Sequence, residues 1–359
     1  MSYKKTAHSN AIKGRGAVSQ RDSRFSDLQR EQFDDGWYQD YEQSQRSHKT
    51  EVYLETPKTI ISRNRSPDVP FEQSINPYRG CEHGCIYCFA RPSHAYLDLS
   101  PGLDFETKLT AKMHTADILR KQLLAPNYQC KPVALGANTD PYQPIERHYT
   151  ITRELLLTLQ EFDHPCTITT KSSLVERDLD IISDMAKKQL IHINLSFTTM
   201  DTTLSRNLEP RATSPLRRLK TITRLKQAGV PVNILLAPVI PVLTDPEMET
   251  ILQAVAKAGA DTVSYILLRL PLELVALFTE WLQQHYPDKA NHVIQQIQQT
   301  RQGKHNDASF EHRASGQGHI ADMISQRFKL ASQKNHLSQS PNTLNCELFQ
   351  PHPVQINLF

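Results

Sequence analysis

Three of the chain's six cysteines fall within eight positions, at Cys81, Cys85 and Cys88 in "NPYRGCEHGCIYC". A C-x3-C-x2-C spacing gathers thiols on one short loop, and clustered thiols in a reducing compartment point to metal binding or catalysis before disulfides. One reading is a four-iron, four-sulfur cube: three thiolates hold three irons and leave the fourth iron open to an outside ligand. The other is zinc, with His83 or His94 as fourth ligand. Zinc sites favour paired C-x2-C units, and no second pair exists here. Cys130 and Cys166 stand alone in or beside expected strands, as small apolar residues.

The elements that must position this loop follow from periodicity. From about residue 58, short β-rich runs alternate with helical patterns. "KPVALGA" precedes "ITRELLLTLQEF"; "CTITTKS" precedes "ERDLDIISDMAKKQ"; "IHINLSFTT" precedes "SPLRRLKTITRLKQAG"; "PVNILLAPVI" precedes "DPEMETILQAVAKAGA"; "DTVSYILLRLP" precedes "LELVALFTEWLQQHY". Five βα units, with "QSINPY" as a first strand ahead of the cysteines, predict an α/β fold: a partial (β/α)6 barrel of TIM type, short of the eight units of a closed one. Ser214 is the expected N-cap and Pro215 the first residue of its helix, with Gly229 as the stop. In such folds ligands sit beyond the carboxyl ends of the strands, and the cysteines occupy that place after strand one.

Around this core, residues 1–57 read as a polar disordered arm, 58–284 as the partial barrel, 285–332 as a helical extension and 333–359 as a disordered tail. In the extension, Ile320, Met323, Ile324 and Phe328 can share an apolar face. A formal net charge of +3 does not by itself point to nucleic acid. The N-terminal sixteen residues lack the apolar core of a secretory signal, and no apolar run reaches the roughly 18–20 residues that span a bilayer. The expectation is a cytoplasmic protein with no membrane contact.

With Tyr87 just before the last cysteine, C-x3-C-x2-C resembles the signature of the radical S-adenosylmethionine superfamily, whose core is also a six-unit partial barrel. "SINPYRGCEHGCIYCFARPSHAYLDLSPGLDFETKL", "NTDPYQPIE", "TKSSLVERDLD", "EPRATSPLRRL" and "APVIP" resemble more closely its spore photoproduct lyase-like group, in particular a widespread non-spore branch. The likeness covers about residues 60–330, and the early "KGRGAVS" shares it. The resemblance implies a [4Fe-4S] cluster on Cys81, Cys85 and Cys88. It implies S-adenosyl-L-methionine chelating the open iron and reductive cleavage to methionine and a 5′-deoxyadenosyl radical that abstracts a substrate hydrogen. An electron donor such as flavodoxin or ferredoxin is then required.

The resemblance also assigns residues. Tyr87, Thr139, Asp140, Lys171, Ser196 and Ala237 match positions near the bound cofactor, with Lys171 holding its carboxylate and Ala237 acting through its backbone. Asp140 and Pro141 also read as an Asp-Pro turn. Glu209 and Arg211 either pair with each other or line the pocket. Spore photoproduct lyase repairs a thymine dimer in ultraviolet-damaged DNA and uses a cysteine to return a hydrogen. That cysteine position holds Ala137 here, so Tyr96 or Tyr142 is the candidate radical relay, against packing as the plain alternative.

For nucleic acid itself the signals are a basic face on one helix (Arg217, Arg218, Lys220, Arg224 and Lys226), and a glycine-containing turn, "HRASGQGH", ahead of another. The terminal "QINLF", Gln355 to Phe359, is similar to the peptide with which bacterial repair proteins dock on the DNA sliding clamp: two apolar anchors and a glutamine on a flexible tail. "CELFQP" reads as linker. The expected function is radical chemistry on DNA, repair-like. The alternative is radical modification of a protein, peptide or small molecule, and a zinc- or cluster-stabilised binding module is the third reading.

Overall fold

The computed structural model describes residues 12–25, 49–340 and 343–351. Six parallel strands form its centre: β1 (Gln73–Ile75), β2 (Val133–Leu135), β3 (Cys166–Thr170), β4 (Ile191–Phe197), β5 (Val232–Val239) and β6 (Thr262–Leu267). They lie side by side in chain order, in register through Gln73–Val133, Val133–Cys166, Cys166–Ile191, Ile193–Val232 and Asn233–Thr262. An antiparallel edge strand, Ser62–Arg63, extends the sheet beyond β1, and β1 and β6 are not paired with each other. The expected open six-unit barrel is therefore present.

Each crossover from β2 onward carries a helix at the predicted place: Ile151–Glu161, Leu179–Lys187, Pro215–Gln227 and Met248–Ala258, then Leu274–His285 after β6. β1, β2 and nearly all of β4 are buried on both faces, while β3 and β5 alternate buried residues under the helices with half-buried ones, and β6 leaves Ile266 exposed. Ser214 occupies the N-cap of the Pro215 helix, but its side chain makes no capping bond. The helix ends as expected, with Gly229 at φ +76°. A second, three-stranded sheet flanks the cysteine loop, with Lys108–Lys112 between Glu51–Glu55 and Tyr78–Arg79.

Among the described residues two large apolar cores result, with a small third cluster of Cys81, Ala90 and Phe105. The larger lies between the six strands and their helices. The second lies under the cysteine loop, where Cys85, Ile86 and Tyr87 pack with Leu208, Phe278, Trp281, Val293 and Ile297. Its far wall is Leu274–His285 and the following helix, Pro287–Gln299. The last helix, His319–Lys334, buries Ala321, Ile324, Phe328 and Ala331 on the main core, with Phe328 against Tyr265 at 4.6 Å. Met323, expected on that face, is 40% exposed; the buried stripe follows 3- and 4-residue steps through 321, 324, 328 and 331, which leaves position 323 on the far side.

The polar arm holds more structure than its composition suggests. Within 1–57, residues 51–55 form a strand, and Arg15, Ala17, Val18 and Ser23 are buried. The reason is a buried carboxylate, Glu106, that takes backbone amides from the arm. Near the other end, residues 343–351 also lie on the barrel: Phe349 packs against Tyr128, Phe162 and His164. The remainder of both predicted tails, including Gln355–Phe359, lies outside the described residues.

Candidate active site

The cysteine loop leaves β1 at its carboxyl end and is held from several sides. The Asn76 side chain accepts from the Asn138 and Thr139 amides beyond β2 (2.8 and 3.3 Å), which ties the two strand ends together. The Gln143 side chain straddles the loop, accepting from Glu82 N and donating to Gly80 O. Cys81 N donates to Phe105 O, and Ile86 N donates to Leu208 O. The fully buried Arg91 guanidinium donates to the carbonyls of Gly84, Cys85, Pro101 and Gly102 and pairs with Glu106 at 2.5 Å.

Glu106 also anchors the arm. Gly16 N and Ala17 N donate to its carboxylate at 3.0 and 2.8 Å, and Arg15 donates to its carbonyl. The arm crosses the loop so closely that a Cβ on Gly16 would stand 1.8 Å from Gly84 O. Gly84 itself has φ +69° and passes against the Glu106 carboxylate, so both glycines are required by contact with backbone or buried charge. A strap of arm thus closes over the outer side of the loop.

Cys81 and Cys85 are buried, Cys88 half-buried, and all three thiols are free. Burial pushes each of them up; Asp140 adds to this at Cys81 and Glu209 at Cys85, while Lys171 partly opposes it at Cys85. Thiolates in this setting need a strongly cationic group to stabilise them, and iron supplies one. Among the described residues no group of three or more His, Cys, Asp or Glu side chains is already gathered around one point. The His94 ring is committed elsewhere, with Nε2 3.0 Å from Lys108 O and its edge against Phe105. His83 faces Asp140 at 3.3 Å. Three free thiols on one loop beyond the carboxyl end of β1 are a donor set that fits three corners of a [4Fe-4S] cluster.

The other expected residues collect at the same strand ends. Asp140 accepts from Thr170 Oγ1, Lys171 N and Tyr142 N (2.7, 2.7 and 2.8 Å). Burial works against its charge, yet His83 and these donors keep its carboxyl below the ordinary range. Thr139 donates to Tyr78 O. Lys171 leaves the end of β3 with Nζ 5.7 Å from the Tyr87 ring centre and 3.7 Å from Glu209. Glu209 is the hub: Tyr87, Thr198 and Arg218 all donate to it. Burial pushes Glu209 up, but Arg218 and Lys171 outweigh it and hold the carboxyl at about 2. Ser196 and Ala237 join through their carbonyls, which accept from Arg218 and Thr198. Lys171 and Arg218 thus face the single carboxylate of Glu209, while the Asp140 carboxylate holds the Lys171 backbone from the end of β2.

The structure chooses between the open readings of several residues. Glu209 and Arg211 do not pair with each other: Glu209 turns inward to Arg218 and Lys171, and Arg211 turns to Glu82 on the cysteine loop. Tyr142 is fully buried behind the Asp-Pro turn, with its hydroxyl donating to Asp178 at 2.9 Å. Tyr96 is 73% exposed, its ring against Phe25 and beneath Arg24. Neither tyrosine joins the Lys171–Glu209 group in any contact among the described residues. The basic helix face is largely consumed: Arg217 and Arg224 pair with Glu176, Lys226 with Asp261, and Arg218 with Glu209. Sequence reasoning missed Thr198, the inward role of Arg218, and the Arg91–Glu106 pair, since none lies in a spaced motif.

The Radical SAM superfamily profile matches residues 75–255, half of the chain. Uncharacterised proteins of Mycobacterium bovis and Mycobacterium tuberculosis are 38% identical over 222 residues, 61% of this chain and 65% of theirs. The match thus spans just under two thirds of those relatives. An uncharacterised protein of Methanocaldococcus jannaschii is 24% identical over 240 residues, covering 67% of this chain and 85% of that one. Among solved structures, spore photoproduct lyase complexed with dinucleoside spore photoproduct has the same fold, with a TM-score of 0.55 and 15% identity over 80% of this chain and 81% of that one. The cysteine loop at the mouth of an open six-strand barrel, and the family match across it, agree: this chain belongs to the radical S-adenosylmethionine superfamily.

Proposed function

We propose that this radical S-adenosylmethionine enzyme acts on DNA, in a repair-like reaction related to that of spore photoproduct lyase. Cys81, Cys85 and Cys88 would hold a [4Fe-4S] cluster. When bound and reduced, that cluster supplies the electron that cleaves S-adenosylmethionine to methionine and a 5′-deoxyadenosyl radical. The chain's own residues do the placing. Lys171 would meet the cofactor carboxylate, and Glu209 and Arg218 would fix Lys171 beside Tyr87. Thr139 would tie the end of β2 to Asn76 and Tyr78 beside the cysteine loop and Asp140 would pin it to the end of β3, with Ser196 and Ala237 offering backbone. The observation that carries the reading is the Lys171–Glu209–Arg218–Tyr87 group beside Cys85 at the carboxyl ends of the strands.

DNA as substrate is supported by the shared fold with a lyase solved with a photoproduct, and by the terminal Gln355–Phe359 peptide, which would dock a sliding clamp. A flavodoxin or ferredoxin in a reducing cytoplasm would supply the electron. No helix among the described residues is long and apolar enough to cross a membrane. The second reading, radical modification of a protein, peptide or small molecule, is favoured by two observations. Ala137 offers no thiol to return a hydrogen, and the acidic partners Glu176 and Asp261 occupy the basic helix face.

The test is 5′-deoxyadenosine formation by anaerobically reconstituted, reduced protein with ultraviolet-irradiated DNA, undamaged DNA and no DNA. Stimulation by irradiated DNA alone is expected. An equal low background in all three arms would overturn lesion repair and favour the second reading. Turnover surviving in Cys81→Ala, Cys85→Ala or Cys88→Ala would overturn the cluster assignment.

A further inference from the structure

A second set of cysteines stands at the opposite end of the barrel. Cys130 lies just ahead of β2, on the amino-end side of the strands, whereas Cys81, Cys85 and Cys88 follow β1 at the carboxyl ends. Cys346 belongs to the segment 343–351, which returns to the barrel long after the last helix. That segment is seated by specific contacts. Asn345 N donates to Gln189 O at 2.9 Å, Gln350 N donates to Phe162 O at 3.0 Å, and Cys346 O accepts from Phe349 N in the turn between them. The Phe349 ring fills a nest of Tyr128 at 5.6 Å, His164 at 5.2 Å and Phe162 at 6.5 Å. Tyr128, two residues before Cys130, is itself fixed, its hydroxyl donating to Gln73 at 2.7 Å and contacting His164 Nε2 at 2.7 Å.

These contacts carry Cys346 onto the same patch as Cys130, where the two thiols act on each other electrostatically although 215 residues of chain lie between them. Both are half-buried and so within reach of a small reagent, unlike Cys166, which is fully buried in β3. The isolated-apolar reading thus holds for Cys166 and fails for Cys130.

We propose that Cys130 and Cys346 form a reversible disulfide that pins the 343–351 segment, and with it the start of the C-terminal tail, to the amino end of the barrel. The co-reactant is a low-molecular-weight disulfide. One protein thiolate attacks it, releasing one thiol and leaving a mixed disulfide; the second protein thiolate then displaces the other thiol. Two protein S–H bonds are lost and one S–S bond forms, while the small disulfide is reduced to two thiols. Burial and the neighbouring Cys346 thiol push Cys130 up to about 12, so little of it is thiolate near neutral pH and its attack is the slow step of the exchange. Bridges of this kind in reducing compartments are transient and redox-sensing. Here the bridge would report an oxidising shift on the face farthest from the cysteine loop.

The experiment uses the full, cluster-loaded chain, incubated anaerobically with oxidised glutathione, alkylated without reduction and digested with trypsin. The expected product is a crosslinked pair of peptides, residues 122–147 joined to 335–359, that separates on adding dithiothreitol. The free thiols outside the cysteine loop should fall from about three to about one. Cys130→Ser and Cys346→Ser should each abolish the crosslink and instead retain a glutathione adduct on the remaining cysteine. Limited proteolysis of the oxidised chain should cut within 335–351 at least about threefold more slowly than the reduced chain, reflecting a closed opening equilibrium. Stable glutathione adducts on both cysteines of the unmutated chain, with no crosslinked pair, would overturn the proposal. So would a crosslink that leaves proteolysis of 335–351 unchanged.

Discussion

Replacing Glu106 with alanine removes the single anion facing the fully buried Arg91 and the acceptor for the Gly16 and Ala17 amides. Breaking a buried pair by deleting one partner leaves an uncompensated charge and costs roughly 3–5 kcal/mol. The Gly16 and Ala17 amides are buried with the arm and reach water only if the strap lifts, so the expected loss is at least about 4 kcal/mol. Unfolding entropy is about 2.1 cal/mol/K per residue, so over this chain that loss lowers the midpoint by roughly 5 °C. The assay is thermal unfolding of the metal-free chain under anaerobic conditions, followed by circular dichroism, with iron content after reconstitution as a second readout. Glu106→Gln keeps the shape and one acceptor, and should fall between alanine and the parent. The double variant Arg91→Met with Glu106→Leu should be less destabilised than the two single losses combined, by about 2 kcal/mol. A midpoint shift under about 1 °C for Glu106→Ala, or strict additivity in the double variant, would refute the account of this pair as the clasp between strap and cysteine loop.

Lys171→Ala should weaken S-adenosylmethionine binding about 10- to 100-fold, the worth of one charge-assisted hydrogen bond, while iron content stays unchanged; equilibrium dialysis would measure both. Glu176 is one of the carboxylates that make the acid limb of stability: burial opposes its charge, but Arg217, Arg224 and Thr221 prevail and hold it at about 2. Its contribution is therefore complete above the unfolded value near 4.3 and is lost as pH falls through about 2, so Glu176→Gln should flatten urea-unfolding stability between about pH 4.5 and pH 2. Phe349→Ala should cost about 2 kcal/mol by emptying the Tyr128–His164–Phe162 nest, and should speed proteolysis within 343–351 in the reduced chain.

The sequence by itself determined the local chemistry and the order of elements. C-x3-C-x2-C is a property of one loop, and the strand and helix periods between Lys131 and Tyr286 are properties of short windows, so both could be read without knowing what touches what. The parallel sheet and its carboxyl-end mouth followed, because βα units close in one way. Lys171 and Asp140, singled out by the resemblance, stand at or just beyond the carboxyl ends of β3 and β2, where strand periodicity alone would put them.

Tertiary structure decided the partners of the charges. Arg218 reads in sequence as one more residue of a basic stripe, and only helix packing turns it inward to Glu209. Arg211, seven residues earlier, looks the nearer partner, yet it meets Glu82, 129 positions away. Glu106 carries no signal at all, because its importance comes from burial beside Arg91 and from an arm whose composition is polar. Tyr142 and Tyr96 show the reverse: aromatic residues near a motif, one of which the fold spends on the core and the other on the surface. Ion pairing depends on distance through space and on burial, and neither quantity is encoded in a residue's neighbours along the chain. Cys130 and Cys346, the most widely separated of these pairs, were brought together only by where the last segment of chain comes to rest.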